Sequence, residues 1–514
     1  MQSRVWRNGL IGLLLGGLTA CAQLQPRPEL PVETALPVGQ NTALDRALAD
    51  PEARHPSQSA FRLLVEGTEA FVTRVHSAQM AGRSLDVQTY IWHGDLTGLF
   101  VAQQLLDAAD RGVRVRLLVD DMDARAKNAG FAALAAHPGI EVRMFNPFAS
   151  RSGTMSKIGE GMTSFSRINH RMHNKTWIAD NRIAVAGGRN IGDEYFGASE
   201  EVNFVDLDFA MIGPVVREAS ASFDKYWNSP AAYPMEVLDP ESITEPALAK
   251  LRTVLADRLR DAASGKYATA LRQDDAVKRL AAGDWAMQWA STFQFVSDDP
   301  LKATMKEGDV ERTHVVAALI PMLKSSQKTI TVISPYFVPG DAGTKALVDA
   351  AQQSENVRVL SNSLAANDVA AVHGGYSRYR KPLLEGGVQL WELKPLGGTS
   401  AHSSLFGSSG ASLHTKALAV DSRMLFVGSY NLDPRSTWLN CEQGVLVENP
   451  VLATQLESIF AKETAGERAW QVTVKDSELH WSDGVETFDS DPYASFGKRF
   501  QAWLTRVLHL DAQL

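Results

Sequence analysis

A pattern of five residues occurs twice in this chain at identical spacing, and that recurrence limits the possible folds more than any other feature. In the stretch HRMHNKTWIADNRIAVAGGRN the pattern is His173, Lys175, Asp180, Gly187 and Asn190. In HTKALAVDSRMLFVGSYN it is His414, Lys416, Asp421, Gly428 and Asn431. The surrounding text is doubled too: Tyr336 matches Tyr90, 357–360 parallels 113–116, and GVQLWELKP from Gly387 parallels GIEVRMFNP from Gly139. The offsets stay nearly constant, from 241 (414 − 173) to 248 (387 − 139), which marks an internal duplication.

Local periodicity gives the content of each copy. Phe61, Leu64, Val65, Thr68, Phe71, Val72 and Val75 recur at helical spacing from about Ala60. A buried strand follows at Leu85 to Trp92, then a helix from Leu99 to Asp110 and strands at Val113 to Val119 and Ile140 to Phe145. Strand, helix, strand at these lengths predicts an α/β fold: two similar lobes, each a mixed sheet flanked by helices, packed as a pseudo-two-fold pair. The lobes are expected at 59–230 and 310–514. Between them, 231–309 reads as a helical insertion or linker, with a helix opening at Glu245-Pro246, Trp285 and Trp289 further on, and a strand-like piece from Thr292 to Val296. A cap over the active site is the alternative role for this insertion. At the far end Phe496, Phe500, Trp503, Leu504, Val507 and Leu508 form one helical stripe, expected to dock on the protein rather than on a membrane.

The N-terminus carries an address. Arg4 and Arg7 precede an apolar run from Gly9 to Leu18 that is too short to span a bilayer. It ends in Leu18-Thr19-Ala20-Cys21, which resembles a bacterial lipobox. The likeness implies that 1–20 is a lipoprotein signal peptide and that Cys21 is lipidated. An ordinary signal peptide with an incidental Cys is the alternative. Residues 21–58, rich in Pro and Ala, are expected to be a tether. Cys441 is the one other cysteine of two, so the chain cleaved before Cys21 has no second thiol beyond the lipidated one for an intramolecular disulfide, and Cys441 is expected in the core. A lipoprotein of this kind implies the bacterial cell envelope, periplasm-facing; Ala22 is compatible with the outer membrane.

Composition narrows the substrate. With 45% hydrophobic and 21% charged residues the 514-residue chain can bury a large core, and a formal net charge of -8 gives no reason to expect nucleic acid. Within the motif, Asp180-Asn181 is a turn signal between strand-like Thr176 to Ala179 and Arg182 to Ala186, so a hairpin is expected. On an extended strand His173 and Lys175 point to one side. An ammonium is not a metal ligand and repels an ion, so no metal or cofactor is expected and the pair suits a phosphate.

These doubled motifs resemble the HKD motifs of the phospholipase D superfamily, and HRMHNK followed by GGRNIGDEYFG is most like the bacterial cardiolipin synthase C subgroup. The likeness implies that His173 attacks phosphorus and forms a phosphohistidine, while His414 protonates the leaving alkoxide and later deprotonates the acceptor alcohol. Lys175, Lys416, Asn190, Asn431 and Ser429 would hold the non-bridging oxygens. Where the family pattern has Ser after the motif Gly, the first copy has Gly188, whose backbone N–H would serve instead. Aligning Gly213-Pro214-Val215 with Asn449-Pro450-Val451 makes Asp206 and Glu442 the candidates for orienting the imidazoles, with Asp208 as the second choice in the first lobe. The family names Asp180 and Asp421 with the catalytic set. Yet seven extended residues span about 23 Å, which argues that Asp180 fixes the turn.

The resemblance implies a phosphatidyltransferase that makes cardiolipin from phosphatidylglycerol and a second phospholipid, with phosphatidylethanolamine a candidate, held at the membrane by its lipid anchor. An accessory protein is left open. The alternatives are a hydrolytic phospholipase D or other phosphodiesterase, with a nuclease behind them, and a non-enzymatic envelope scaffold.

Overall fold

The computed structural model describes residues 24–124, 127–149, 169–281, 283, 285–302, 314–353, 356–367, 369–395 and 413–508. Cys21 and residues 1–20, expected to be a signal peptide, lie outside the described residues.

Nineteen described strands form two mixed sheets. The first contains β1 (Ser59–Leu64), β2 (Ser84–Thr89), β3 (Arg114–Asp120), β4 (Ile140–Phe145), β5 (Thr176–Ala179), β6 (Ile183–Gly187), β7 (Asp208–Ile212), β8 (Ala232–Pro234) and β9 (Gln288–Ala290). Their order across the sheet is β8-β4-β3-β2-β5-β6-β7-β1-β9. The second contains β10 (Phe293–Ser297), β11 (Thr329–Ile333), β12 (Asn356–Asn362), β13 (Gln389–Leu393), β14 (Ala417–Val420), β15 (Met424–Gly428), β16 (Gln443–Glu448), β17 (Ala469–Lys475), β18 (Glu478–Ser482) and β19 (Thr487–Phe488). Read from β13, its order β13-β12-β11-β14-β15-β16-β10 repeats β4-β3-β2-β5-β6-β7-β1, so the duplication seen in the text is a duplication of topology.

Three expectations change. Residues 59–64 form a strand, because β1 pairs with β7 on one side and β9 on the other, and the helix starts only at Gly67. Pairing on both edges overrides a short helical period. Next, the region 231–309 is not a separate insertion. Its helix Glu245–Ala262 packs on Leu96–Asp110 and Asn128–Ala135, β9 extends the first sheet, and β10 pairs with β16 as β1 does with β7. The second sheet therefore begins at Phe293 rather than near 310.

The third change concerns the tether. Within 24–58, Arg27 Nε donates to the Ala232 carbonyl (2.7 Å), Ala35 N–H to Asp224 (2.8 Å), and Trp227 Nε1–H to Glu33 (2.8 Å). Residues Ala43–Arg54 are a helix with a capping box between Thr42 and Asp45. Asp45 is buried and ion-paired with Arg83 (2.9 Å) and Arg182 (2.8 Å). Burial opposes its ionisation, but Arg182, Thr42 and Arg83 hold its carboxyl down at about 2. Aperiodic text gives no helical or strand signal, yet these polar partners clamp it to the first lobe.

The lobes share a core. Phe61, Ile178, Ala184, Phe209 and Met211 of the first lobe form one buried cluster with Ala417, Ala419, Leu425, Val427 and Val445 of the second. Apolar contact on this scale joins the sheets as one folded unit and fixes how the two motifs meet.

Candidate active site

Each motif is a strand pair with one end at the site and the other in a tight turn. β5 and β6, and likewise β14 and β15, are antiparallel. Their turns, closed by Arg182 N–H on the Ala179 carbonyl (2.9 Å) and Arg423 N–H on the Val420 carbonyl (3.0 Å), place Asp180 (φ 54°) and Asn181 (φ 56°), or Asp421 (φ 55°) and Ser422 (φ 49°), in the left-handed region. The Asp180 carboxylate accepts N–H bonds from Gly82 (3.0 Å), Arg83 (2.7 Å) and Ser84 (3.0 Å). Asp421 accepts from Gln327 (3.0 Å), Lys328 (2.8 Å) and Thr329 (2.9 Å). Both motif aspartates thus spend their carboxylates on fastening the hairpin to the loop preceding the neighbouring strand.

At the other end the lobes meet through paired backbone bridges, Met172 with Cys441 and Val205 with Leu413. His173 N–H donates to the Cys441 carbonyl (2.9 Å), and His414 N–H to the Val205 carbonyl (2.8 Å). Cys441 itself is buried in this seam. Asp120, fully buried, holds the entering strand by accepting from Met172 N–H (2.8 Å) and Arg171 (3.1 Å).

The bridges cross the carboxylates between lobes. Glu442 lies 3.0 Å from His173 Nδ1, and Asp206 lies 2.6 Å from His414 Nδ1. Each carboxylate therefore serves the imidazole of the opposite lobe. Ionised carboxylates only accept, so each Nδ1 carries the proton and each Nε2 keeps its lone pair. Asp208 does not take this role; it is buried with Arg74 (3.0 Å) and Arg189 (3.4 Å).

Gly188 and Ser429, at matching positions, meet the carboxylates differently. A Cβ on Gly188 would stand 2.1 Å from Asp206 Oδ1, so no side chain fits there. Ser429 donates its hydroxyl to Glu442 and accepts from Gln443 N–H (3.0 Å). The Ser429 hydroxyl thus braces the Glu442 carboxylate, whereas the family resemblance implies a place on substrate oxygens.

The lysines repeat the symmetry. Lys175 Nζ donates to the His173 carbonyl and Lys416 Nζ to the His414 carbonyl, each at 2.5 Å. Lys175 is buried and lies 5.3 Å from the Tyr90 ring centroid. Asn190 accepts from Ile91 N–H (3.2 Å) and donates to the Tyr195 hydroxyl (2.8 Å). Among the described residues the buried Asn431 side-chain oxygen has no hydrogen-bond partner.

Sequence reasoning missed the aromatic walls. Tyr90 packs edge-on against His173 (5.1 Å), Tyr195 edge-on against His414 (5.2 Å), and Phe204 stacks on His414 (5.4 Å). Tyr90 and Tyr336 had a signal in their matched positions; Tyr195 and Phe204 had none. Burial pushes His173 down to about 4 despite Glu442, with Lys175 and Lys416 adding to the effect. Burial, then Lys416, Lys175 and His173, pushes His414 well below the usual imidazole range. Lys175 is lowered strongly by burial. Both imidazoles are neutral at pH 7, with a cationic surround suited to an incoming phosphodiester anion.

Among the described residues, two side-chain groups have metal-ligand chemistry: His93, Asp95 and Glu194, and His373, Glu392 and Asp491. The second already holds a cation, since Arg380 pairs with Glu392 (2.8 Å) and Asp491 (2.7 Å).

Fold and site define a two-lobed phosphodiester-handling protein with one histidine and one lysine from each lobe. The family described as cardiolipin synthase, PLD-like domain, matches residues 73–227 and 319–464, and the chain belongs to it. It is 39% identical over 469 residues to cardiolipin synthase C of Escherichia coli (strain K12), covering 89% of this chain and 97% of that protein. Cardiolipin synthase A of Pseudomonas putida is 26% identical, over 89% of this chain and 79% of the relative. The crystal structure of phosphatidylserine synthase from Haemophilus influenzae Rd KW20 shares the fold, with a TM-score of 0.55 at 14% identity, covering 91% of this chain and 98% of that one.

Proposed function

We propose that the chain is a phosphatidyltransferase that makes cardiolipin from phosphatidylglycerol and a second phospholipid, through a phosphohistidine. The observation that carries this reading is the pair of neutral imidazoles, each anchored through Nδ1 to a carboxylate of the other lobe. His173 Nε2 attacks phosphorus, the bond to the departing alkoxide breaks, and His414 supplies that alkoxide's proton. For this, His414 Nε2 takes up a proton from solvent as substrate binds, because the bound phosphate's negative charge raises its proton affinity. An acceptor hydroxyl then gives its proton to His414, its oxygen bonds phosphorus, and the P–N bond breaks. Lys175 and Lys416 neutralise charge on the non-bridging oxygens. The 39% identity to cardiolipin synthase C supports lipid glycerol as the acceptor.

The lipobox-like Leu18 to Cys21 supports attachment to a membrane of the cell envelope through an acylated Cys21. Among the described residues, no helix is long and apolar enough to cross a membrane.

Vesicles containing phosphatidylglycerol and a second phospholipid test the reaction. Cardiolipin in excess over phosphatidic acid is expected. A product that is overwhelmingly phosphatidic acid makes the chain a hydrolase, and no headgroup release with or without added alcohol makes it a scaffold. For the anchor, Cys21→Ser should abolish fatty-acid labelling; continued labelling rejects it.

A further inference from the structure

The helix Phe496–Leu508 does not bury the stripe that its sequence suggests. Phe496 is 85% exposed, Phe500 53% and Trp503 48%, and Leu504, Val507 and Leu508 are exposed beside them. The face turned to the protein carries Ala502 and Thr505, both buried. At 3.6 residues per turn the six apolar side chains cover an arc of about 140° on the opposite side. The expectation that this stripe docks on the protein is therefore reversed.

The helix is firmly seated all the same. It packs on Ala370–Tyr376, where Gly374 provides the close approach: a Cβ there would meet the Ala502 carbonyl at 2.4 Å. Lys498 Nζ donates to the carbonyls of Ala365 (2.8 Å) and Asn367 (2.9 Å). Ala502 shares a small buried cluster with Leu364 and Ala370. An exposed apolar face held this rigidly by its polar side is an interaction surface.

Charge and position choose its occupant. The helix sequence FGKRFQAWLTRVL contains Lys498, Arg499 and Arg506 and no acidic residue. Arg506 is exposed, and the Arg499 guanidinium rests on the carbonyls of Ala494 (3.1 Å) and Asp491 (2.5 Å) at the border of the stripe. The loop that Lys498 grips follows β12, whose last residue, Asn362, donates to the Leu413 carbonyl (3.1 Å), one residue before His414. The helix is therefore tied to the end of the second lobe at which the active site opens.

We infer that Phe496–Leu508 lies in the interface of an anionic phospholipid bilayer, its apolar face among the acyl chains and Arg499 and Arg506, which flank that face, at the headgroups. It sets the mouth of the site against the lipid from which substrate comes; this last clause rests on the proposed phospholipid substrate, while the docking itself does not.

The test reads insertion and not turnover. The full chain is mixed with vesicles of phosphatidylglycerol and phosphatidylcholine bearing brominated acyl chains, and tryptophan emission is compared with that of full-length Trp503→Phe. Quenching that is largely lost in Trp503→Phe, together with at least about tenfold weaker vesicle binding by Phe500→Glu/Trp503→Glu, is expected. Equal quenching of both chains overturns the inference whatever the enzyme's activity. So does a vesicle-indifferent dimer that the double glutamate variant dissolves, because the stripe then receives a second copy of this chain. Circular dichroism and the unfolding midpoint of each variant confirm that the exposed substitutions leave the fold intact.

Discussion

Replacing Asp180 by Asn separates anchoring from chemistry. The buried Asp180 carboxylate accepts three backbone N–H bonds, from Gly82, Arg83 and Ser84. Hydrogen bonds to a charged group contribute roughly 1.5–3 kcal/mol each. An Asn keeps one acceptor oxygen and turns an N–H₂ toward the remaining donor, so a net loss of about 2–4 kcal/mol is expected. Asn tolerates the positive φ, so backbone strain does not confound the result. Asp421 supplies an internal control. It has the same three-donor geometry, but the N–H groups of Gln327 and Lys328 are exposed and water can replace the carboxylate, so Asp421→Asn should cost only about 1 kcal/mol. Urea unfolding of both variants gives the stabilities, and turnover is scaled to folded protein. Asp180→Asn with a wild-type unfolding midpoint and no turnover would return the carboxylate to the chemistry. A larger loss in Asp421→Asn would refute the burial argument.

The remaining predictions concern the site. Glu442→Gln should lower turnover by on the order of 10²–10⁴-fold with little change in KM, because the tautomer at His173 is no longer fixed; an unchanged turnover rejects the crossed pairing. Gly188→Ser should lower both stability and activity, since its Cβ meets Asp206, and an active, stable variant would contradict the 2.1 Å approach. His173 binds its proton near 4 when folded and near 6.5 when unfolded, so stability is complete above that window and is lost as pH falls through it. Turnover should fall in the same direction, and a plateau with an edge near 6.5 would show a solvated imidazole. Chelators should leave activity intact; loss restored by a divalent ion overturns the assignment of charge neutralisation to the lysines. His173→Ala should abolish both release and transfer, while His414→Ala should accumulate adduct on His173; label on His414 reverses the roles.

The doubled motif and the α/β class were present in the text, because periodicity and spacing are properties of neighbouring residues, whereas the order of strands across each sheet was not. The first hairpin turn was present too, since Asp180-Asn181 are residue types that accept positive φ; the matching turn at Asp421-Ser422 carries only one such residue. The likeness to one family pointed at the histidines and lysines, and alignment of the copies pointed at Asp206 and Glu442. Which carboxylate serves which imidazole was settled only by the docking of the lobes, through bridges between residues more than two hundred positions apart, Met172 to Cys441 and Val205 to Leu413. The same holds for residues 24–58, clamped by Asp224, Trp227 and Arg182, partners that no local period announces. The C-terminal stripe is the clearest case. Its sequence defines an apolar face and a polar face, but which one turns inward depends on what the rest of the chain offers, and the close approach at Gly374 chose Ala502.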